Sequence, residues 1–289
     1  MRLCKVDVIC VGFASHAFYP SFLAALRRQV GVDLHLYVIE QGGSAPAIGL
    51  VPFAVSVLQG ENIGYAGGND FGFKLARLDA EVVVFMNPDC FLRGDDFLLK
   101  AAEALRSDEN LGALQPVLLR YDFASKSATG QYDSLGIVRS AYGKWSDFGQ
   151  GKAVEPKPPV PARIDAVCGA CIVAKRSALV KLLRRDGYIF DPRFFMYKED
   201  IDLSLRLVEL GCRLAISAEL KADHCRGWRS RKDMDWRMKY LSARNELKIN
   251  RRWPLPWLYS LLKLAFVTGL EARRKKGDVP AQASRNDVR

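Results

Sequence analysis

Three carboxylates fall within four residues in the segment 194–203, at Glu199, Asp200 and Asp202. They open an amphipathic helix, and because acids in a first helical turn are stabilised by the helix dipole, capping alone is one explanation for them. The other explanation is chemical. The aromatic residues before the acids would shield them from water, and partial desolvation raises the pKa of a carboxylate towards that of a general base. The residues alone leave both explanations open.

A further aspartate follows a nearly continuous apolar run. Glu81–Met86 is typical of a strand buried on both faces, and Asn87-Pro88-Asp89 follows it directly. Ligands of parallel sheets bind beyond the carboxyl ends of the strands, so Asp89 could bind a divalent metal through its oxygens. The alternative is an Asn-Pro-Asp turn that caps the next element.

Histidine and cysteine give a weaker metal signal. His224 is one of three histidines and precedes a cysteine, an arrangement more typical of a structural residue than of a ligand. A zinc site made of Cys168, Cys171, Cys225 and His224 is a weak alternative, because no second CxxC supports it. We expect Cys168 and Cys171 to be small buried residues near a ligand or in the core.

A glycine-rich stretch leads into a predicted helix. Residues 62–72 contain four glycines, and glycines before a helix can turn backbone amides and the helix N-terminus towards an anion. The stretch lacks the spacing and the Lys-Ser/Thr of a P-loop, and it lacks the spacing of a dinucleotide fingerprint. A tight strand-to-helix turn is the alternative.

Strands and helices alternate over the first two-thirds of the chain. In chain order, the predicted elements are Val6–Val11, Ser21–Gln29, Leu34–Ile39, Phe53–Leu58, Asp70–Leu78, Glu81–Met86, Phe97–Leu105 and Leu114–Leu119. This alternation predicts an α/β fold with a parallel sheet and right-handed crossovers. In such a sheet, polar residues at the carboxyl ends of the strands are the functional candidates.

The periodicity lapses over residues 121–163, where glycines and prolines predict a long irregular segment of the kind that is usually functional or mobile. A strand over 166–174 and a helix over 177–185 follow it. We divide the chain into a first domain, residues 1–233, and a basic, partly amphipathic helical region with a flexible tail, residues 234–289.

Composition and charge exclude some classes of protein. With 289 residues, 49% of them hydrophobic and 26% charged, the chain is neither wholly disordered nor a fibrous repeat. Seven cysteines without a secretory signal favour a reducing cytoplasm, and no uncharged apolar run reaches the roughly 18 residues of a membrane span. Residues 221–289 hold 18 basic and 7 acidic side chains, so the net charge of +11 lies in the last quarter and favours an anionic partner surface.

This basic region contains an apolar helix face. The residues that align on it are Trp257, Leu258, Leu261, Leu262, Ala265 and Phe266. Lys263 interrupts the stretch and Arg273–Lys276 follows it. Such a helix could lie in the interface of an anionic bilayer and dock the protein beside a lipid-linked acceptor. Packing on the domain or on a second subunit is the alternative.

Four segments, taken in their order along the chain, together resemble a glycosyltransferase of family 2 with the GT-A fold. They are NIGYAGGND, MNPD, GACIVAKRSAL and FDPRFFMYKEDIDLSLRL. The resemblance covers about residues 5–250 and is closest to bacterial rhamnosyltransferase-like members that build surface polysaccharides such as lipopolysaccharide. It implies a Rossmann-like, mostly parallel nucleotide-sugar-binding sheet flanked by helices, to which this chain adds a C-terminal helical extension.

The resemblance also implies roles for individual residues. Asp200 matches the catalytic base and Glu199 the acid that positions acceptor or donor, while Lys198 stands where relatives commonly have glycine. Asp89 matches the metal-binding acid, and His224 matches the late histidine that completes the metal site. The residues assigned to the nucleotide sugar are Val11, Gly12, Phe13, Glu40, Asn62, Gly64, Gly68, Asn69, Asn87 and Arg244.

The implied reaction is an inverting, metal-dependent transfer of a sugar to a hydroxyl of a saccharide or lipid-linked acceptor. The resemblance favours dTDP-rhamnose as donor, with a UDP-hexose as the alternative, and Mn²⁺ or Mg²⁺ as the metal. It implies a cytoplasmic enzyme, peripheral on the inner face of the cytoplasmic membrane, and a homo-oligomer is one expected form.

Two other functions stay open. A sugar-phosphate nucleotidyltransferase should carry a basic, glycine-rich loop after the first strand, whereas this chain has Gly-Phe-Ala-Ser-His at residues 12–16. A non-enzymatic adaptor could bind membrane or nucleic acid through the basic region. Against nucleic acid, residues 1–220 are charge-neutral and contain no nucleic-acid-binding motif.

Overall fold

The computed structural model describes residues 3–226 and 234–277, with side chains described as far as residue 270. The strands are β1 Cys4–Gly12, β2 Val32–Gln41, β3 Ala54–Gly60, β4 Val82–Met86, β5 Cys90–Leu92, β6 Leu111–Asp122, β7 Ser127–Ser134, β8 Ile137–Arg139, β9 Trp145–Asp147, β10 Cys171–Lys175 and β11 Arg213–His224. The α-helices are α1 Tyr19–Arg27, α2 Gly64–Leu75, α3 Phe97–Ser107, α4 Arg176–Asp186, α5 Glu199–Glu209, α6 Trp236–Asn250 and α7 Pro254–Gly277. Short 3₁₀ helices span His16–Phe18 and Pro192–Phe194.

The main sheet has the order β3-β2-β1-β4-β10-β6-β11-β5, and β7 pairs with β6. Strands β3, β2, β1 and β4 are parallel, which confirms the alternation predicted for the first third of the chain. Beyond β4 the sheet is mixed: β10 is antiparallel to both β4 and β6, and β11 is parallel to β6. Helices flank this sheet, so the α/β fold class is confirmed.

The segment 121–163 is less irregular than its composition predicts. β6 continues to Asp122 and turns into β7, and β8 pairs with β9 in a separate two-stranded sheet. The expectation of a structureless loop is therefore wrong for residues 121–147. The first five residues of β7, Ser127–Gln131, are all exposed, so they carry none of the apolar alternation by which a strand is recognised.

The glycine-rich stretch is mostly helix. α2 begins at Gly64 rather than near residue 70, and its glycines allow the helix to lie directly on β1 and β2. A Cβ on Gly72 would be 2.6 Å from Ile9 Cγ2, and one on Gly68 would be 2.8 Å from Val11 Cγ1. Close helix–sheet packing therefore explains these two glycines.

The C-terminal helices pack on the rest of the described chain. α6 contributes Ile249 to the same hydrophobic core as the sheet. α7 buries Pro256 and Ser260 and exposes the opposite face. Among the described residues, no helix combines the length and apolarity needed to cross a bilayer. The division of the chain at residue 234 stays a prediction.

We predict that Gly68→Val lowers the free energy of unfolding by about 1–3 kcal/mol, because the added methyl groups collide with Val11. Gly60→Ala is the matched control, since a Cβ there meets no atom within 4 Å, and it should change stability by less than about 0.5 kcal/mol. Urea unfolding measures both values. Equal effects of the two substitutions would contradict the packing explanation.

Candidate functional site

A cavity of about 580 Å³ opens beyond the carboxyl end of β4. It brings together residues that are far apart in sequence. The predicted site residues that line it are Asn87, Asp89, Glu199, Asp200 and His224. Five predicted site residues from three separate segments of the chain therefore line the same cavity.

The turn Cys168-Gly169-Ala170, just before β10, joins three sides of this cavity. The Gly169 N–H donates to Asp200 Oδ2 at 2.9 Å, and the Gly169 carbonyl accepts from the Tyr65 hydroxyl at 2.6 Å. The Ala170 carbonyl accepts from the Asn87 N–H at 3.0 Å. The turn therefore ties α5, α2 and the end of β4 to one another, as expected for small buried residues near a ligand.

The two acids at the start of α5 are held differently. Asp200 accepts a second bond, from the Ile201 N–H to Oδ1 at 2.8 Å, and burial raises its pKa despite these two donors. Glu199 is buried, and its Oε2 has no hydrogen-bond partner among the described residues. Burial, reinforced by the charge of Asp200, raises the pKa of Glu199 well above its usual range.

The backbone before the acids adopts conformations that side chains rarely take. Phe195, Tyr197 and Lys198 have φ values of 62°, 69° and 72°. Lys198 thus occupies a left-handed position that suits the glycine common in relatives. Strain of this kind persists only where the surroundings impose it.

Asn245 on α6 supplies that constraint. Its buried Nδ2 lies 2.8 Å from the Phe194 carbonyl oxygen and 2.9 Å from those of Met196 and Tyr197. One amide group therefore gathers three carbonyls of the strained segment, and it fixes the direction in which α5 begins.

A chain of charges crosses the opposite wall. His224 Nε2 lies 3.5 Å from Asp89 Oδ1, and Nδ1 lies 2.7 Å from Asp133 Oδ2. Arg226 Nε donates to Asp133 Oδ1 at 2.7 Å, and its Nη2 donates to Asp147 Oδ2 at 3.0 Å. Burial alone would lower the pKa of His224, but Asp89 and Asp133 outweigh it and raise the pKa to about 10. Burial opposes ionisation of Asp133 too, yet His224 and Arg226 lower its pKa to about 2.

This arrangement suits a divalent metal. A carboxylate behind a histidine fixes the protonated ring nitrogen and aims the other nitrogen at the ion, and here Asp133 aims Nε2 of His224 towards Asp89. In the described part of the chain, no group of three or more side chains forms a metal site. The zinc site with Cys168, Cys171 and Cys225 is not formed among these residues.

Other predicted site residues lie at the carboxyl ends of β1 and β2, outside the lining of this cavity. Glu40 is fully buried beside Gly12, accepts from the Tyr19 hydroxyl at 3.0 Å, and its Oε1 lacks a partner among the described residues. Phe13 is exposed and Val11 buried. The assignment of these positions to a nucleotide site stays a prediction.

Apart from Gly68, which packs against β1 and does not line the cavity, four predicted residues remain, and they have structural contacts. Asn62 accepts from the Gly64 N–H at 3.0 Å, and buried Asn69 donates to the Tyr65 carbonyl at 2.9 Å. Arg244 is half-buried, and its described hydrogen bonds are those to Asn245 Oδ1 at 3.3 Å. None of the four, Asn62, Gly64, Asn69 and Arg244, lines the cavity.

Sequence reasoning missed several residues of the site. They are Tyr65, Asp133, Asp147 and Arg226. Tyr65 lies within the glycine-rich stretch, so its proximity to predicted residues could have indicated it. Asp133 and Asp147 lie in the segment where periodicity lapses, and the sequence carries no signal for them.

No protein-family model matches this sequence, and no curated protein matches it. Solved structures do match. A mannosyltransferase from Pyrobaculum calidifontis in complex with GDP-Man and Mn²⁺ matches 97% of this chain and 78% of its own, with 16% identity and a TM-score of 0.59. GalNAc-T7 with UDP, GalNAc and Mn²⁺ matches 96% of this chain and 58% of its own, with 13% identity and a TM-score of 0.60.

TarS 1–349 from S. aureus, in complex with UDP, matches 95% of this chain and 73% of its own, with 18% identity and a TM-score of 0.51. At such identities the likeness concerns the fold. The chain therefore has the GT-A fold of nucleotide-sugar glycosyltransferases, as the four sequence segments imply.

We predict that Glu199→Gln stabilises the protein, and does so more at about pH 8 than at about pH 5. The pKa of Glu199 is higher in the folded than in the unfolded state, so the wild type loses stability as pH rises through the folded-state pKa. The Glu199→Gln variant cannot ionise at this position, so its stability does not fall with pH in this way. Glu103→Gln, on an exposed side chain, is the control. Thermal unfolding at both pH values measures the differences, and a gain independent of pH would contradict the burial argument.

Proposed function

We propose that this protein is an inverting, metal-dependent glycosyltransferase. The observation that carries the proposal is that the acids Glu199 and Asp200 and the Asp89–His224 pair face one cavity at the strand ends of a GT-A fold. The GDP-Man, UDP and Mn²⁺ in the complexes described above support a nucleotide sugar and a divalent metal as ligands.

Asp200 is the proposed general base. Hydrogen bonds from the Gly169 and Ile201 N–H groups hold its carboxylate in place, and its raised pKa favours accepting a proton. It takes the proton of the acceptor hydroxyl as the oxygen attacks the anomeric carbon. The bond from that carbon to the diphosphate breaks on the opposite face, so the configuration inverts.

Asp89 and His224 are the residues that would hold Mn²⁺ or Mg²⁺. When bound, the ion neutralises the charge that develops on the leaving diphosphate. Asp133 keeps the His224 ring oriented through the 2.7 Å bond to Nδ1. An imidazole ligand favours Mn²⁺ over Mg²⁺.

The proposed donor is dTDP-rhamnose, on the sequence resemblance to rhamnosyltransferase-like enzymes, with a UDP-hexose as the alternative. The proposed acceptor is a hydroxyl of a saccharide or lipid-linked saccharide. Turnover of a panel of dTDP-, UDP- and GDP-sugars with Mn²⁺ and simple glycoside acceptors tests the assignment. Absence of turnover with every donor would favour a non-enzymatic adaptor instead.

We predict that Asp200→Asn lowers kcat about 10²–10⁴-fold while leaving nucleotide binding intact, because the amide cannot accept the proton. Asp202→Asn is the matched control. Asp202 lies on the same helix, but its carboxylate pairs with Arg206 at 2.7 Å, so this change should affect stability rather than turnover. Equal losses of kcat in both variants would contradict the role of Asp200.

The exposed face of α7 supports a site of action at a membrane. Leu262 and Phe266 are 63% and 66% exposed, and the sequence continues into the basic run Arg273–Lys276. An apolar helix face followed by cations fits the interface of an anionic bilayer. The proposed location is therefore the inner face of the cytoplasmic membrane, beside a lipid-linked acceptor.

Helix α7 is linked to the cavity wall through Asn250, a buried residue at the end of α6. Asn250 Nδ2 lies 2.8 Å from both Ser260 Oγ on α7 and the Gly143 carbonyl, and Oδ1 accepts from the Trp145 indole at 2.9 Å. Trp145 lines the cavity. Docking through α7 would thus bring the Trp145 side of the cavity near the bilayer.

We predict that Leu262→Asp with Phe266→Asp reduces flotation with phosphatidylglycerol vesicles, because each carboxylate opposes insertion and is repelled by the lipid. Leu50→Asp is the control, since Leu50 is 98% exposed and lies far from α7 in the sequence. Undiminished flotation of the double variant would contradict membrane docking. If the wild type is a dimer and the double variant a monomer, the face binds a second copy instead.

A further inference from the structure

A second cavity, of about 590 Å³, lies at the other end of the strands that lead to the first. Strand β4 begins at Val82, which lines the second cavity, and is followed by Asn87, which lines the first. Strand β10 runs from the turn at Ala170, beside the first cavity, to Lys175, beside the second. The proposed reaction uses no residue of the second cavity. Its lining is therefore free for another ligand.

The charge of this cavity is strongly one-sided. The cations that line it are Arg106, Lys175, Arg176, Lys181 and Arg184. Its one carboxylate, Glu81, is bound by Arg106 at 2.7 Å. Lys181 and Arg184 are exposed and form no ion pair within the described residues. Four cations therefore remain without a carboxylate from the lining.

Arg176 is the buried member of this set. It is only 8% exposed, its Nε donates to the Leu78 carbonyl at 3.1 Å, and its guanidinium lies over the Phe73 ring at 5.1 Å. Its Nη1 is buried without a hydrogen-bond partner among the described residues. A buried cationic donor without an acceptor is unfavourable, so negative charge in the cavity beside this guanidinium would be favoured.

The backbone of α4 adds to this preference for an anion. The helix begins at Arg176, with Lys175 as its N-cap residue, and no side chain caps it. The Arg176 N–H already donates to the Glu81 carbonyl at 3.0 Å, but the amides that follow it and the helix dipole favour negative charge at that position. Apart from Ser177, the rest of the lining is apolar, and consists of Leu78, Ala80, Val82, Ala102, Leu105 and Val180.

We propose that this cavity binds a phosphate monoester with an apolar body. The phosphate would lie between Arg176, the start of α4 and the two unpaired cations Lys181 and Arg184, and the apolar body would cover Leu78 and Leu105. Inorganic phosphate has the charge but leaves the apolar wall exposed, so it should bind more weakly. A neutral alcohol has the apolar body but lacks the charge, so it should also bind more weakly.

The proposal is tested by calorimetric titration of the full chain with hexyl phosphate, inorganic phosphate and hexanol, in the presence of saturating UDP and Mn²⁺. On the proposed function, the nucleotide and the ion occupy the Asp89–His224 side of the first cavity, and the variants below show which cavity binds the probe. We expect hexyl phosphate to bind and both other probes to bind at least about tenfold more weakly, a difference of about 1.4 kcal/mol. Inorganic phosphate that binds as tightly as hexyl phosphate, or no binding of hexyl phosphate, would overturn the proposal.

Variants locate the binding. Lys181→Ala with Arg184→Ala removes two exposed cations without disturbing the buried Arg176, and should weaken hexyl phosphate binding about tenfold or more. Lys157→Ala with Arg163→Ala removes two exposed cations that line neither cavity, with the same change in net charge. Equal affinities of the two double variants would overturn the assignment to this cavity. UDP binding should be unchanged in both, so failure here is distinguishable from failure of the proposed glycosyltransferase activity.

Discussion

The arrangement of the first cavity depends on the half-buried carboxylate of Asp200, which backbone N–H groups satisfy. Asp200 receives N–H bonds from Gly169 and from Ile201, so it stays ordered where burial opposes its charge. Gly169 can donate because its turn is anchored from the other side by the Tyr65 hydroxyl. Removing water from a carboxylate is costly unless such donors replace it. Much of the local chain path, from α2 to the start of α5, follows from this requirement.

A second set of buried charges organises the opposite wall. Asp133 accepts from both His224 and Arg226, and Arg226 reaches on to Asp147. These residues come from β7, from β9 and from the end of β11, and each charge stays buried because its neighbour has the opposite sign. The network thereby joins the middle of the chain to its last strand, and leaves Nε2 of His224 directed at Asp89.

The sequence predicted the first half of the fold well, because buried parallel strands such as β4 are continuous apolar runs and the helices between them keep their period. It also predicted the acids, since Glu199 and Asp89 stand beside apolar segments. Asp133 could not be predicted, because it meets His224 across 91 residues of chain and lies in a segment without periodicity. The glycines were ambiguous for a physical reason. A glycine that lets α2 approach the sheet has the same local sequence as one that turns an amide towards a phosphate.

The central claim is that Asp89 and His224 hold a metal that binds a nucleotide diphosphate. Thermal unfolding with UDP, dTDP or GDP, each with and without Mn²⁺, tests it most directly, in the wild type and in Asp89→Asn and His224→Asn. We predict stabilisation by one nucleotide class, about 2.7 kcal/mol at 100 times its dissociation constant, that requires Mn²⁺ and is lost in both variants. Stabilisation that is independent of Mn²⁺, or unchanged in the variants, would contradict it.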